Sequence, residues 1–277
     1  MSSKNKLRSV ESHFKFGENW RSFVDTLSKR SIEEAERGLI RLFPNGELRR
    51  HRFLDIGCGS GLHMLAAQRL GAAEIVGIDL DSVSVQTAET FLSTHANSRA
   101  WLVKVKDVFD LDPRQDGVYD VVYSWGVLHH TGDMWVAIRK AAAMVAPGGH
   151  FALALYRHTP LCGFWRVEKK IYSTSPRFVQ AIMRVLYKTI YLCGLIATGR
   201  SPAEYIRNYV SARGMDWSHD VHDWLGGYPY DSVRPLQLIA FLQDLGFSIE
   251  RMFEHPAALM GILGSHCDEF VAQRQSG

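Results

Sequence analysis

The chain has 277 residues, of which 46% are hydrophobic and 22% charged, and a formal net charge of +3. That length buries a real core in one large domain, or one domain with a sizeable insertion, and the near-neutral balance points by itself to no polyanionic partner. Four scattered cysteines (Cys58, Cys162, Cys193, Cys267), with no C-x-x-C pair, argue against a disulfide framework or a structural zinc site and suit a reducing cytoplasm.

The first ten residues are polar and lack the apolar core of a signal peptide, so a cytoplasmic location is expected. No uninterrupted apolar run reaches the length of a membrane span; the nearest stretch, 178–199, is broken by Arg184 and Lys188. Phe14, Phe16 and Trp20 surround Gly17, a cluster that fits either an anchor onto the main domain or a flap over a ligand. Apolar spacing at Phe23, Leu27, Ile32, Ala35, Leu39 and Phe43 predicts one or two helices over 20–43, broken at Pro44-Asn45-Gly46.

From residue 52 strands and helices alternate. Strands are expected at 53–56, 74–78, 100–105, 118–123 and 151–156, with helices at 61–70, 83–95 and 133–145, the last stopped by Pro147-Gly148-Gly149. The pattern breaks over 157–233 and resumes with a helix from Pro235 to Leu245, a strand at 247–253 and a last strand near 269–272. Apolar strands separated by helices predict an α/β fold, a mostly parallel sheet covered on both faces. The expected organisation is an N-terminal helical segment (1–46), a ligand-binding domain (47–156 with 234–277) and an inserted cap (157–233).

The strand at 53–56 carries Asp55 and runs into Gly57, Gly59 and Gly61 before a helical pattern, so the segment reads strand, tight turn, helix. That arrangement brings backbone close to a ligand at a helix N-terminus. Asp79 closes the second strand 22 residues after Gly57, near the offset at which a carboxylate meets ribose hydroxyls. Asp107 follows the third strand, where the sheet edge faces an adenine, and the Val108 amide beside it suits the base. A nicotinamide dinucleotide and S-adenosylmethionine both fit so far. The third glycine comes one residue too early for G-x-G-x-x-G, and there is no second Gly-rich turn for another nucleotide.

Leu54-Asp55-Ile56-Gly57-Cys58-Gly59-Ser60-Gly61 resembles the first motif of class I S-adenosylmethionine-dependent methyltransferases. Gly77-Ile78-Asp79 is similar to their second motif and Asp107-Val108 to their third. Tyr119 to His130 resembles the fourth, most closely in the ubiquinone-biosynthesis methylase branch, and Ala146-Pro147-Gly148-Gly149 the fifth. The resemblance covers about residues 50–156. It implies a Rossmann-like seven-stranded sheet of order 3-2-1-4-5-7-6 with the last strand antiparallel. It implies S-adenosylmethionine as cofactor, with Asp55, Gly57, Cys58, Gly59 and Gly61 at its methionine moiety, Asp79 and Leu80 at the ribose, and Asp107 and Val108 at the adenine. Ser124 and Trp125 would complete the donor site, and the segment to His130 would line the transfer site.

Methyl transfer from a sulfonium is an in-line displacement, so the enzyme positions the acceptor and removes its proton where it has one. His129 and His130, and His219 and His222 in the stretch 216–224, are the candidate bases. His219 and His222 at i, i+3 also fit a metal site less well, and no metal is expected. Trp125, Tyr156, Trp224, Tyr228 and Tyr230 are candidate acceptor contacts. Between Arg157 and Arg213 the chain holds 10 bases and 2 acids, a local charge of +8 against −5 elsewhere. With apolar helical spacing at Phe178, Ile182, Val185, Leu186 and Ile190, this reads as a basic amphipathic cap. It suits an anionic acceptor, peripheral contact with a membrane, or merely solvated charges over a packed face. The expected activity is methylation of a small or lipid-linked acceptor, most often on oxygen. An RNA acceptor (without a recognisable RNA module) and a non-catalytic cofactor-binding protein are the alternatives.

Overall fold

A computed structural model of the chain describes residues 16–24, 27–213, 216–256 and 261–276, leaving aside the side chains of 210–213. Phe14 of the N-terminal aromatic cluster lies outside them. Seven strands form one sheet in the order β3-β2-β1-β4-β5-β7-β6. They are β1 (Arg52–Ile56), β2 (Glu74–Asp79), β3 (Trp101–Val105), β4 (Tyr119–Trp125), β5 (Val145–Tyr156), β6 (Phe247–Phe253) and β7 (Cys267–Arg274). β1 pairs in parallel with β2 and with β4, and only β7 runs antiparallel to its neighbours β5 and β6. The Rossmann-like sheet implied by the resemblance is therefore present.

Side-chain alternation along the strands divides the interior into two layers. Phe53, Val121 and Tyr123 join one core with helices α1 (Phe16–Val24), α2 (Lys29–Leu42), α3 (Leu62–Arg69) and α4 (Ser82–His95). Leu54, Ile56 and Val122 join the other with α5 (Met134–Ala143) and, across 157–233, α10 (Pro235–Asp244). The chain leaves β1 toward β2 and β3, then returns to place β4 on β1's other side. The resulting crevice at the carboxyl ends of β1 and β4 is where open α/β sheets take their ligands.

Two expectations change. The helix expected over 133–145 stops at Ala143, and β5 opens at Val145 with Pro147-Gly148-Gly149 inside it. The register against β4 jumps from Tyr119↔Val145 to Val121↔His150, a bulge that absorbs the extra residues. A Cβ at Gly149 would lie 2.7 Å from the Asp120 carbonyl oxygen, so glycine is required by the closeness of β4.

Among the described residues the insertion has four helices, α6 (Cys162–Thr174), α7 (Arg177–Ala197), α8 (Pro202–Arg213) and α9 (Trp217–Gly226). It has its own small core of Cys162, Trp165, Tyr172, Val221, Leu225 and Tyr230. It rejoins the sheet where Arg157 bridges Val233 and the Val233 amide donates to the Tyr156 carbonyl at 2.9 Å. The second change concerns α7. This helix is, by length and composition, long and apolar enough to cross a membrane, with 6% of its most apolar window buried. The two charges that break the apolar run face the protein: Arg184 donates to the Tyr172 hydroxyl at 2.8 Å and Lys188 to Ser218 Oγ at 2.9 Å.

Replacing Gly149 by alanine is expected to destabilise the fold by about 1–3 kcal/mol, because backbone must shift to admit the methyl. A lower urea midpoint at unchanged m-value checks this; an unchanged midpoint would show that the bulge has room.

Candidate active site

The turn after β1 is anchored on the end of β2. The amides of Gly57 and Cys58 both donate to the Ile78 carbonyl, at 2.8 and 3.0 Å, and the Gly59 amide donates to Asp79 Oδ2 at 3.0 Å. Asp79 Oδ1 also accepts from the Asp81 amide at 2.9 Å. Gly57, Gly59 and Gly61 have φ of +76°, +52° and +79°, the left-handed region that costs other residues about 1–2 kcal/mol. Space is as limiting as conformation. A Cβ at Gly57 would lie 2.4 Å from Val127, and one at Gly59 would lie 2.9 Å from the Trp20 ring.

Trp20 belongs to α1, which lies across the turn. The Gly17 amide donates to Asp81 Oδ2 at 3.0 Å, and Phe16, Glu18 and Trp20 line the cavity that opens beneath. The cluster acts as anchor and cover together, so the two readings of the aromatics merge.

That cavity has a volume of about 1700 Å³ and runs from β2 to the insertion. At its sheet end stand Gly57, Asp79, Leu80, Asp107, Val108 and Trp125. Asp107 also accepts from the Phe109 amide at 3.0 Å, which fixes the loop after β3. Other residues expected at the cofactor do not reach the wall. Asp55 is 3% exposed, and Cys58, Gly59 and Gly61 shape the turn from behind. Ser124 is fully buried and donates to the Ile56 carbonyl at 3.2 Å, tying β4 to β1. Burial pushes the Asp55 carboxyl up to about 8, helped by the nearby Asp79 charge. Burial likewise raises Asp79 to about 6, against the pull of its amide donors.

The structure separates the four histidines. His129 is fully buried; its Nδ1 accepts from the Tyr156 amide at 3.4 Å, and burial lowers its pKa well below the usual range. It supports the end of β5 and is no part of the wall. His130 lines the cavity, and its Nδ1 lies 2.7 Å from the Pro229 carbonyl oxygen. A carbonyl only accepts, so Nδ1 carries the proton and Nε2 is the basic nitrogen. Gly227 makes this placement possible: a Cβ there would lie 2.5 Å from His130 Cε1.

His219 bonds Asp216 through Nδ1 and Ser22 Oγ, at 3.0 Å, through Nε2. His222 Nδ1 accepts from the Tyr172 hydroxyl, and burial lowers its pKa to about 4. Both secure α9 to its neighbours, away from the wall. Their nitrogens serve different partners, so they make no shared metal site.

Tyr156 and Trp224 line the cavity as expected of acceptor contacts, whereas Tyr228 and Tyr230 do not. The Tyr230 hydroxyl is buried against Cys162 Sγ at 3.2 Å and Ser265 Oγ at 3.0 Å. The far wall consists of residues that motif reading missed: Tyr187 and Tyr191 from α7, Tyr205 and Tyr209 from α8, and Trp217 and Asp223 from α9. The i, i+4 tyrosine pairs were the available signal. Among the described basic side chains of the insertion, only Arg200 lines the cavity, alongside Glu204, Asp220 and Asp223. The other described basic side chains of the insertion therefore lie away from the cavity wall. Burial raises Asp223 to about 8, and it accepts from Asn19 Nδ2 of α1. Lys169 is also absent from the motifs. Fully buried, it donates to the Trp224 carbonyl with its Nζ 3.5 Å from that indole's centroid.

Comparison with known proteins identifies the family and the fold. A family model described as a methyltransferase domain matches residues 26–250. The chain is 34% identical over 116 residues to 27-O-demethylrifamycin SV methyltransferase of Amycolatopsis mediterranei, covering 39% of this chain and 40% of that one. It is 37% identical over 109 residues to the ubiquinone biosynthesis O-methyltransferase of Xanthomonas campestris pv. campestris, covering 39% and 44%. The match thus spans less than half the length of these curated relatives. In fold it resembles the magnesium protoporphyrin IX methyltransferase of Synechocystis with bound S-adenosylmethionine, with a TM-score of 0.56 at 15% identity over 99% of this chain and 98% of that one. PKMT2 of Rickettsia typhi, in complex with S-adenosylhomocysteine, gives a TM-score of 0.56 at 18% identity, over 83% and 50%.

Asp79→Ala is expected to weaken S-adenosylhomocysteine binding at least about tenfold, since it removes a charged acceptor and releases the Gly59 amide. Calorimetry below the variant's melting temperature checks this, and unchanged affinity would place the ribose elsewhere. A second expectation concerns pH. The folded Asp55 carboxyl titrates at about 8 against 3.8 when unfolded, so it contributes stability that is present below about 4 and lost as pH rises toward 8. Thermal melts of ligand-free protein should therefore fall over that window, and less steeply in Asp55→Asn; an equal slope would exclude Asp55 as a contributor.

Proposed function

The chain belongs to the methyltransferase-domain family, and from that membership we propose that it transfers the methyl group of S-adenosylmethionine to a hydroxyl of a small or lipid-linked acceptor. The cofactor supplies an activated methyl on a sulfonium. The glycine turn and the walls formed by Asp79, Leu80, Asp107 and Val108 fit an adenosine: a backbone cradle with no room for a Cβ, a ribose-facing carboxylate and an apolar slot at the base.

The observation that carries the hydroxyl assignment is His130. It stands on the cavity wall just past β4 with its proton held on Nδ1 by the Pro229 carbonyl. Nε2 is then the nitrogen that receives a proton from an acceptor hydroxyl as its oxygen attacks. Phe16 and Tyr156 flank it, with ring centroids 5.7 and 5.3 Å from the imidazole. The tyrosines and tryptophans beyond offer ring faces to a planar, sugar-like or isoprenoid body. Both curated relatives named above carry out O-methylation by name, which supports the same atom here. An RNA acceptor has less support, since Arg200 is the one described base of the insertion on the wall.

Incubation with methyl-labelled S-adenosylmethionine and a panel of phenolic, sugar and polyprenyl-linked alcohols tests this reading. Label is expected on oxygen, with kcat reduced about 10²–10⁴-fold in His130→Ala at unchanged S-adenosylhomocysteine affinity. Label found only on nitrogen or carbon, or an unchanged rate in the variant, would overturn it.

A further inference from the structure

Helix α7 is amphipathic in the reverse sense from a surface helix of a globular domain. Its outward face carries Phe178, Ile182, Val185, Leu186, Ile190 and Ile196, which are 53–68% exposed. After Arg177 no exposed position on this helix is charged. The inward face holds the polar groups. Arg184 and Lys188 make the bonds described above, and the Tyr187 hydroxyl donates to the Leu263 carbonyl at 2.7 Å.

The preceding helix adds to this surface. Phe164, Val167 and Ile171 of α6, at i, i+3 and i+7, are 60%, 58% and 52% exposed. The helices touch where Gln180 Nε2 donates to the Tyr172 and Ser175 carbonyls, at 3.0 and 3.1 Å. So extensive an apolar surface is unusual on a protein that meets only water. Exposed cations rim it: Lys170 on α6 and Arg200 just past α7, together with Arg166 and Arg177, whose exposed guanidiniums also pair with Asp231 and Glu18.

We propose that α6 and α7 seat the protein on an anionic phospholipid bilayer. The apolar rows enter the boundary between headgroups and acyl chains, and the rim cations meet the lipid phosphates. Charge complementarity and an apolar face that no charge interrupts favour lipid over a protein partner. The helix lies on the bilayer and does not cross it. Crossing would strip Arg184 and Lys188 of their partners and pull Tyr187 and Tyr191 out of the cavity wall. Because α7 forms that wall on its other side, this seat places the acceptor end of the cavity at the membrane surface. The inference does not depend on which atom is methylated.

Co-sedimentation of the purified chain with vesicles tests it, using phosphatidylcholine alone and an equimolar mixture with phosphatidylglycerol. The wild-type chain is expected to bind the mixed vesicles several-fold more tightly than the neutral ones. Ile182→Glu with Leu186→Glu should lower binding to the mixed vesicles at least about tenfold. Lys170→Gln with Arg177→Gln should reduce the preference for anionic lipid. S-adenosylhomocysteine binding, measured by calorimetry, should be retained in both variants and reports folding. No binding of wild type to either vesicle, or equal binding by the Ile182/Leu186 variant, overturns the proposal. So does a wild-type dimer in analytical ultracentrifugation that the same variant converts to monomer without lipid, which would make the surface a contact between copies of the chain.

Discussion

The site depends on how the end of β2 holds the turn after β1. One carbonyl, that of Ile78, accepts two consecutive amides, and one carboxylate, that of Asp79, accepts a third. Three donors directed at two adjacent residues compel the chain to curl toward β2 as soon as β1 ends. Only a left-handed backbone makes that curl, which is why glycines occupy alternate positions there. The parallel register, with Ile56 beside Ile78, makes the two strands end level. The floor of the cavity is therefore set by strand pairing before any ligand contributes.

Above that floor the wall is built from parts distant in sequence. β4 and the turn after it supply Trp125 and His130, the insertion supplies aromatic rings, and the loop into β7 closes one side with Leu263, His266 and, at the strand's start, Cys267. Burial determines the electrostatic character of these parts more than formal charge does. Asp55 and Asp223 lie where solvent cannot stabilise their charge, so their carboxyls hold protons more tightly than usual. Lys169 experiences the reverse, its pKa lowered to about 7 by burial among aromatic rings. A chain that is near neutral as a whole thus maintains a strongly patterned interior.

The alternation of apolar runs made the strands, the helices and a mostly parallel sheet legible in the sequence, because strand and helix periods are local properties; the strand order came only with the family resemblance. The glycine turn and Asp79 were legible for the same reason: their spacing follows from one strand–turn–helix unit. What escaped was set by three-dimensional packing. Nothing local distinguishes His129 from its neighbour; only the turn from Leu128 to His130 buries one ring and turns the next into the cavity. Nothing in the sequence around Gly227 signals that its hydrogen makes room for His130. The insertion's charge was counted correctly, but counting could not show that Arg184 and Lys188 point inward. Helical spacing identifies a face without saying what it meets.

The nine residues of α1 connect regions that otherwise have little to do with each other. On one flank Trp20 rests on the turn after β1 and Gly17 bonds Asp81 just past β2. On the other, Asn19 reaches Asp223 and Ser22 reaches His219, both on α9. If this helix lifts, it uncovers the donor and loosens the acceptor wall in the same movement. One short helix thus couples the cover of the turn after β1 to the far wall of the cavity, so a change at either end is felt at the other.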